Sequence, residues 1–395
     1  MFPTDVVILA GARTPMTRYN GEFAGVTAID LGVAAAKEAV KRANVDPGEI
    51  EHVVFGNVMQ TSADAIYGAR HVGLKAGLRI ETPAVTVNRL CGSGVESISQ
   101  AAQRILLGEA KTVLAGGMEN MTQCPHVIRG ARSGFRLGEG KLEDSLMSGL
   151  YDPFSGCTMS DTAENLAVEH GITRQAADEY ALRSQQAAEA AFRACRMKEE
   201  IVPVEVGKGK KAHMVAQDDH RRPETTMEIL AALPPAFRKD GIVTAGNASG
   251  IVDGAAAVVL TQAKIAKDRG WMPLGRIVSW ATAGVEPKLM GIGPAPSTRK
   301  ALELAGLTLE QIDLIEVNEA FSPQYLAVEK VLGLNRDKTN VNGGAIALGH
   351  PLGATGTRLV LTLLLELRRR NQRYGLATAC IGGGQGIAMI VESIS

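Results

Sequence analysis

The feature that most constrains the fold of this chain is a repeat. The stretch Lys37-Glu-Ala-Val-Lys-Arg-Ala-Asn-Val-Asp-Pro-Gly-Glu-Ile-Glu-His-Val returns in altered form as Arg299-Lys-Ala-Leu-Glu-Leu-Ala-Gly-Leu-Thr-Leu-Glu-Gln-Ile-Asp-Leu-Ile. Ala39, Ala43, Ile50 and Val53 fall opposite Ala301, Ala305, Ile312 and Ile315, a constant offset of 262 (301 − 39). Both copies read as helix, short turn, then strand. Further on, Thr86-Val-Asn-Arg-Leu-Cys91 before one helix parallels Asn340-Val-Asn-Gly-Gly before another. A duplicated half-domain explains this order of elements, with chance alignment of short α/β segments as the alternative.

The surrounding periodicity agrees. Val6–Leu9 is a short apolar run, and Ala28–Ala43 is helical with apolar positions spaced by three and four. Val53–Phe55 and Ala84–Asn88 read as strands, Val95–Leu107 as a helix, and Thr112–Ala115 as a strand stopping at Gly116-Gly117. Such alternation predicts an α/β fold with a mainly parallel, doubly covered sheet. From about 120 to 245 the texture changes to glycine-rich irregular stretches (Gly130–Gly140) and one long helical reading, Thr162 to Arg196. A basic cluster follows: Lys208, Lys210, Lys211, Arg221 and Arg222. This segment reads as an insertion forming a substrate-facing roof. The expected division is a first core of 1–120 plus about 246–273, an inserted loop domain of 121–245, and a second core of 274–395.

Bulk properties remove several classes of function. Lys+Arg and Asp+Glu each number 42, so nothing argues for nucleic acid or an anionic membrane surface. No apolar run reaches the roughly 18 residues needed to cross a bilayer. Met1-Phe-Pro-Thr-Asp leads directly into the first strand without a basic, then apolar, signal, so secretion is not expected. The five cysteines (Cys91, Cys124, Cys157, Cys195, Cys380) are odd in number and scattered, with no Cys-x-x-Cys for metal. A reducing cytoplasm is the expected home, and an organelle entered without a cleaved peptide the alternative.

Four segments carry candidate chemistry. Cys91, in Asn88-Arg-Leu-Cys91-Gly-Ser-Gly, ends a strand and opens a helix, where the macrodipole and free N–H groups would favour a thiolate. A buried structural cysteine is the bland reading of the same context. His350 lies in Asn340-Val-Asn-Gly-Gly-Ala-Ile-Ala-Leu-Gly-His350-Pro-Leu-Gly-Ala-Thr-Gly, just before the apolar helix Thr357–Arg370. Gly343, Gly344, Gly349, Gly353, Gly356 and, one strand later, Gly375 are entropically costly unless their backbone is in use. In Thr378-Ala-Cys380-Ile-Gly-Gly-Gly-Gln-Gly a strand delivers a thiol into three glycines able to form an anion nest. Asn318 and Glu319 end another strand, where α/β folds place ligands.

Together these stretches resemble the thiolase family along nearly the whole chain. The matching segments are Gly11-Ala-Arg-Thr-Pro-Met, Asn88–Gly94, Gly116-Gly-Met-Glu-Asn-Met, Gly246-Asn-Ala-Ser249-Gly, Asn318-Glu-Ala-Phe321, Gly343–Gly356 and Cys380–Gly386. The resemblance implies the thiolase fold, duplicated cores layered α-β-α-β-α with an inserted loop domain. It implies acyl transfer on coenzyme A thioesters: Cys91 as nucleophile, His350 as its base, and Cys380 as the second acid/base. Asn318 would orient a water that forms one oxyanion hole with His350, and the N–H groups at Cys91 and Gly382 would form the other. Arg222 resembles a contact to the adenine and phosphate end of the cofactor. Ser249, Met159, Phe237, Ala320, Phe321 and Leu150 resemble the lining of the pantetheine channel. No permanently bound cofactor or metal is implied; acyl-CoA is substrate, and a dimer or tetramer is the expected assembly.

The substrate reading is divided. Acetoacetyl-specific members usually carry histidine where Thr158 stands and glycine at Ser160, and Val252 replaces a common asparagine. Gly275-Arg-Ile-Val-Ser-Trp-Ala-Thr resembles biosynthetic acetyl-CoA acetyltransferases. Arg222-Pro-Glu-Thr-Thr-Met and Pro323-Gln-Tyr-Leu-Ala-Val-Glu resemble degradative 3-ketoacyl-CoA thiolases of β-oxidation. The rivals are a decarboxylating ketosynthase, which needs histidine where Cys380 stands, a silent CoA- or lipid-binding protein on the same scaffold, and a generic nucleotide-binding α/β protein. The silent protein would be expected to have lost a reactive group.

Overall fold

The computed structural model describes residues 6–394. Met1–Asp5, on which the reading about secretion rested, lie outside them. In chain order the main elements are β1 (Val6–Arg13), α1 (Ala28–Arg42), β2 (His52–Gly56), α2 (Gly68–Ala76), β3 (Ala84–Val87), α3 (Ser93–Leu106) and β4 (Thr112–Glu119). Then come α4 (Met159–His170), α5 (Arg174–Arg193) and β5 (Val252–Gln262). The second half holds β6 (Gly275–Gly284), α6 (Pro294–Ala305), β7 (Leu314–Val317), α7 (Ser322–Leu332), α8 (Leu352–Arg370), β8 (Tyr374–Ile381) and β9 (Gln385–Ser393). The duplication is visible to the residue. A 3₁₀ turn at Pro47–Glu49 before β2 has its counterpart at Leu309–Gln311 before β7, at the same offset of 262 (309 − 47).

The strands form one sheet in the order β7-β8-β9-β6-β1-β5-β4-β2-β3. The halves meet where Val7 and Ile8 pair with Arg276 and Gly275. The expected mainly parallel sheet is corrected to a mixed one. Only β2·β3, β2·β4 and β7·β8 are parallel: β5 runs antiparallel to β4 and β1, β1 to β6, and β9 to both β6 and β8. β4 also runs through Gly116 and Gly117 instead of stopping there. Those glycines are where neighbours press closest: a Cβ on Gly117 would stand 1.8 Å from the Gly353 carbonyl oxygen.

Alternation along the strands builds three apolar layers. Ala257 and Val259 face α1, with Leu31, Ala35 and Ala39. Val258 and Leu260 face a central layer in which α3 (Val95, Ile98) and α8 (Leu359, Leu363) also meet Ala377 and Ile387 of the second half. Leu376, Ala388 and Ile390 face outward onto Ala301 and Leu302 of α6 and Leu326 of α7. The result is the α-β-α-β-α layering, with α3 and α8 in the middle.

The expected single helix from Thr162 to Arg196 is two helices, α4 and α5. Gly171 takes φ 63°, and the Thr173 hydroxyl accepts from the Ala176 N–H to start α5 afresh. The chain between β4 and β5 is fastened to β1 by Arg13, which is fully buried. Its guanidinium donates to Glu200 (2.9 and 3.0 Å) and to both Asp218 oxygens (2.6 and 2.8 Å). Among the described residues no helix is long and apolar enough to cross a membrane, and no group of His, Cys, Asp and Glu is placed to hold a metal.

Candidate active site

The central layer positions the chemistry. α3 and α8 cross at glycines: a Cβ on Gly94 would lie 2.4 Å from the Thr357 nitrogen, and one on Gly356 would lie 2.3 Å from the Val95 nitrogen. Backbone-to-backbone approach brings the start of α3, just after Cys91, against the start of α8, just after His350.

The turn into α3 is strained and held. Leu90 adopts φ 46°, a left-handed conformation that costs about 1–2 kcal/mol for a side chain of this kind. Its N–H donates to Asn88 Oδ1 (2.9 Å), and its carbonyl accepts from the Ser93 hydroxyl (2.7 Å), which itself accepts from the Arg89 N–H (2.8 Å). Cys91 follows, 9% exposed. Burial pushes its thiol up to about 11, against N–H groups of Gly382 and of Cys91 itself that favour the thiolate; the Glu119 charge adds to the rise. The expectation that the helix terminus would make a thiolate is corrected. Gly92 caps α3 beyond Cys91, and desolvation outweighs the dipole.

His350 is buried, and burial followed by the Arg358 charge lowers it to about 3, so the imidazole is neutral. Its Nδ1 lies 2.6 Å from Thr355 Oγ1 and its Nε2 3.3 Å from Asn318 Nδ2. Asn318 Oδ1 is buried without a hydrogen-bond partner. Cys380, fully buried at the end of β8, is pushed well up by burial and then by the Cys91 charge. It packs with Met290, Ala320, Met159 and Phe321. Gly382–Gly384 form the hairpin to β9, with Gly383 and Gly384 at φ 76° and 83°. Behind the site, Glu119 accepts from the N–H groups of Met59 (2.9 Å), Val58 (3.1 Å) and Gly353 (2.9 Å), tying the first half to the first turn of α8.

One cavity of about 190 Å³ collects most of these residues. Cys91 and His350 line it, with Leu150, Met159, Phe237, Ser249, Ala320 and Phe321, all named from the sequence. Cys380 stands one layer behind, against the Met290–Ala320 wall. Arg222 is exposed and outside the lining; it lies near His220, whose ring packs on Gly250 and whose pKa burial and then the Arg222 charge lower to about 4. Sequence reasoning missed the further apolar lining (Met121, Met147, Met290, Leu352) and the Thr355 contact. A larger hollow of about 650 Å³ at Arg276, Arg368 and Arg373 has neither cysteine nor histidine in its lining.

Residues 6–264 match the family model described as "Thiolase, N-terminal domain", and residues 271–393 match "Thiolase, C-terminal domain". The chain is a member of the thiolase family. It is 52% identical to the human mitochondrial 3-ketoacyl-CoA thiolase over 389 residues, 98% of each chain. It is 50% identical to the Escherichia coli acetyl-CoA acetyltransferase over 393 residues, 99% of this chain and 100% of the other. The crystal structure of the human mitochondrial 3-ketoacyl-CoA thiolase in complex with CoA superposes with a TM-score of 0.96 at 51% identity, covering 99% of this chain and 98% of that one. These relatives establish this thiolase as an acyltransferase and its architecture as the thiolase fold.

Proposed function

We propose that this thiolase condenses two acetyl-CoA molecules to acetoacetyl-CoA, and runs the reverse thiolysis, through an acyl group carried on Cys91. The observation that carries this reading is one apolar cavity lined by a thiol and a neutral imidazole, with a second thiol directly behind its Met290–Ala320 wall. His350 takes the Cys91 proton as sulfur bonds to the thioester carbon, and coenzyme A leaves with the proton of Cys380. The Cys380 thiolate so formed removes a proton from the α-carbon of the second acetyl-CoA, whose carbanion attacks the acyl-cysteine and frees Cys91, and His350 returns its proton to the Cys91 sulfur. The N–H groups of Cys91 and Gly382 approach the sulfur and would hold the thioester oxygen as it becomes an oxyanion. The unpartnered Asn318 Oδ1 suits an ordered water, which would complete a second hole with His350. Ser249, Met159, Phe237, Ala320, Phe321 and Leu150 would line the pantetheine path, and the exposed Arg222 would meet the phosphates.

A second reading, a degradative 3-ketoacyl-CoA thiolase of broader chain length, is favoured by the floor of the cavity. Thr158 Oγ1 is engaged by Asp161 Oδ2 (2.7 Å) and Ser160 Oγ (2.8 Å), and Met121, Met147 and Leu352 are apolar, two of them adaptable methionines. Thiolysis rates for 3-ketoacyl-CoAs of increasing length decide between them. A steep fall beyond acetoacetyl-CoA supports the acetyltransferase, and a plateau supports the degradative enzyme. Label from acetyl-CoA found anywhere but Cys91 would remove both. The five unpaired cysteines suit a reducing compartment such as the cytoplasm, and a homo-oligomer, dimer or tetramer, completes the proposal; a monomeric mass in solution scattering would contradict the latter.

A further inference from the structure

A base that must accept a proton at Nε2 needs its other ring nitrogen protonated, and an imidazole free in a cavity has no reason to keep that tautomer. Many histidine bases are oriented by a carboxylate. Here the atom facing His350 Nδ1 is the hydroxyl oxygen of Thr355, at 2.6 Å. A hydroxyl has one proton to give. That of Thr355 goes to the Pro351 carbonyl at 3.0 Å, one turn back along the same helix. The Thr355 oxygen is then an acceptor toward the ring, so Nδ1 carries the hydrogen. Nε2 is left with a lone pair, and its neighbour, the Asn318 amide nitrogen at 3.3 Å, is a donor that fits this assignment. Both ring nitrogens therefore point to the same tautomer independently.

We propose that Thr355 is a positioning residue for the base: through Nδ1 it fixes the tautomer and the ring plane of His350. Its own placement is rigid. Thr355 is fully buried, its backbone N–H also donates to Pro351 (2.9 Å), and the next residue, Gly356, is the one pressed against α3. A neutral orienter also suits a base that remains uncharged at rest. A carboxylate at this place would draw a proton onto the ring, whereas a hydroxyl holds the geometry without adding charge. The ionisable groups around this end of α8 are Arg358 with its partner Glu316 (2.9 Å), Glu119 through the Gly353 N–H, and the two thiols.

The inference rests on His350 as the base, but its first test does not depend on turnover. With nitrogen-15-labelled histidine, the His350 resonances, assigned by their loss in His350→Asn, should show protonated Nδ1 and unprotonated Nε2. The reverse pattern in the unaltered enzyme overturns the proposal, whether or not any variant folds. Thr355→Val should shift the ring toward the Nε2–H form. It should also lower kcat by about 10- to 100-fold with KM for acetyl-CoA changed less than about 2-fold; losing the orienter of a catalytic triad costs up to about 10⁴. Thr355→Ser restores the hydroxyl and should recover kcat to within about 3-fold. If Val and Ser behave alike, the hydroxyl is not the orienter. If instead His350→Asn stays fully active, the base assignment fails while the tautomer result stands.

Discussion

Replacing His350 with asparagine tests how the nucleophile is made. Burial pushes the Cys91 thiol up to about 11, and burial with the Arg358 charge pushes the His350 imidazole down to about 3. Moving the proton from one to the other at rest climbs about 8 units (11 less 3), or about 11 kcal/mol at 1.36 kcal/mol per unit. Two unit charges about 4 Å apart at an effective dielectric of about 20 recover only about 4 kcal/mol. The resting pair is therefore thiol and imidazole, and the proton crosses only as sulfur attacks carbon. General-base transfer of this kind contributes about 10²- to 10⁴-fold, which is the loss expected for acylation in His350→Asn. The residual rate must pass through free thiolate, roughly one part in a thousand at about pH 8. It should rise about tenfold per pH unit toward the Cys91 pKa, while the unaltered enzyme stays flat across the neutral range. The assay is the burst of acyl-Cys91 from acetyl-CoA, followed by mass spectrometry across pH. It is paired with thiolate ultraviolet absorbance measured against Cys91→Ala. A thiolate signal present at neutral pH in the unaltered enzyme and absent from Cys91→Ala would refute the reasoning, because a preformed ion pair would then exist.

Three further outcomes follow from the geometry. Cys380→Ala should still acylate Cys91 but lose condensation by on the order of 10² to 10⁴, since the proton abstraction at the α-carbon is removed; equal loss of both half-reactions would contradict the division of roles. Gly356→Ala forces a Cβ to 2.3 Å from the Val95 nitrogen, so it should lower stability by about 1–3 kcal/mol in urea and slow acylation by separating the two helix starts. A variant with an unchanged midpoint would show that the crossing has slack. Burial raises Glu119 to about 7 and Glu316 to about 8, the latter against its Arg358 partner. Both therefore favour the folded state fully only below about 4.5, and that contribution fades as pH rises through about 7 and then 8. His350 and His220, lowered to about 3 and about 4, oppose this up to about pH 6.5. Urea midpoints should therefore fall between about pH 6.5 and 8, and Glu119→Gln should flatten the lower part of that fall; a midpoint rising over this range would contradict the assignment.

What the sequence disclosed is local, and what it withheld is collective. The repeat at offset 262 was legible because helix, 3₁₀ turn and strand each depend on a few neighbouring residues: Asp46 caps the turn at Pro47–Glu49, and Thr308 with Gln311 caps its copy. The candidate residues were legible for the same reason: Cys91, His350 and Cys380 each sit in glycine turns of strong local signature, and the fold brings them to and just behind one cavity. Pairing direction was not, because it depends on which strands the central helices bring together. Gly171 was a local signal underread: as a left-handed cap it splits the long helix. The acidity of Cys91 was withheld for a different reason. A helix terminus is visible in sequence, but the desolvation that overrides it belongs to a shell of residues from both halves, Met121, Leu146 and Leu352 among them. Gly94 and Gly356 let α3 and α8 touch, so the packing that brings Cys91 and His350 to one cavity also surrounds the thiol with apolar side chains. A thiol buried this way would be made thiolate only as it reacts in the proposed chemistry, which is why the orientation of a neutral imidazole, and with it the hydroxyl of Thr355, is the feature to test.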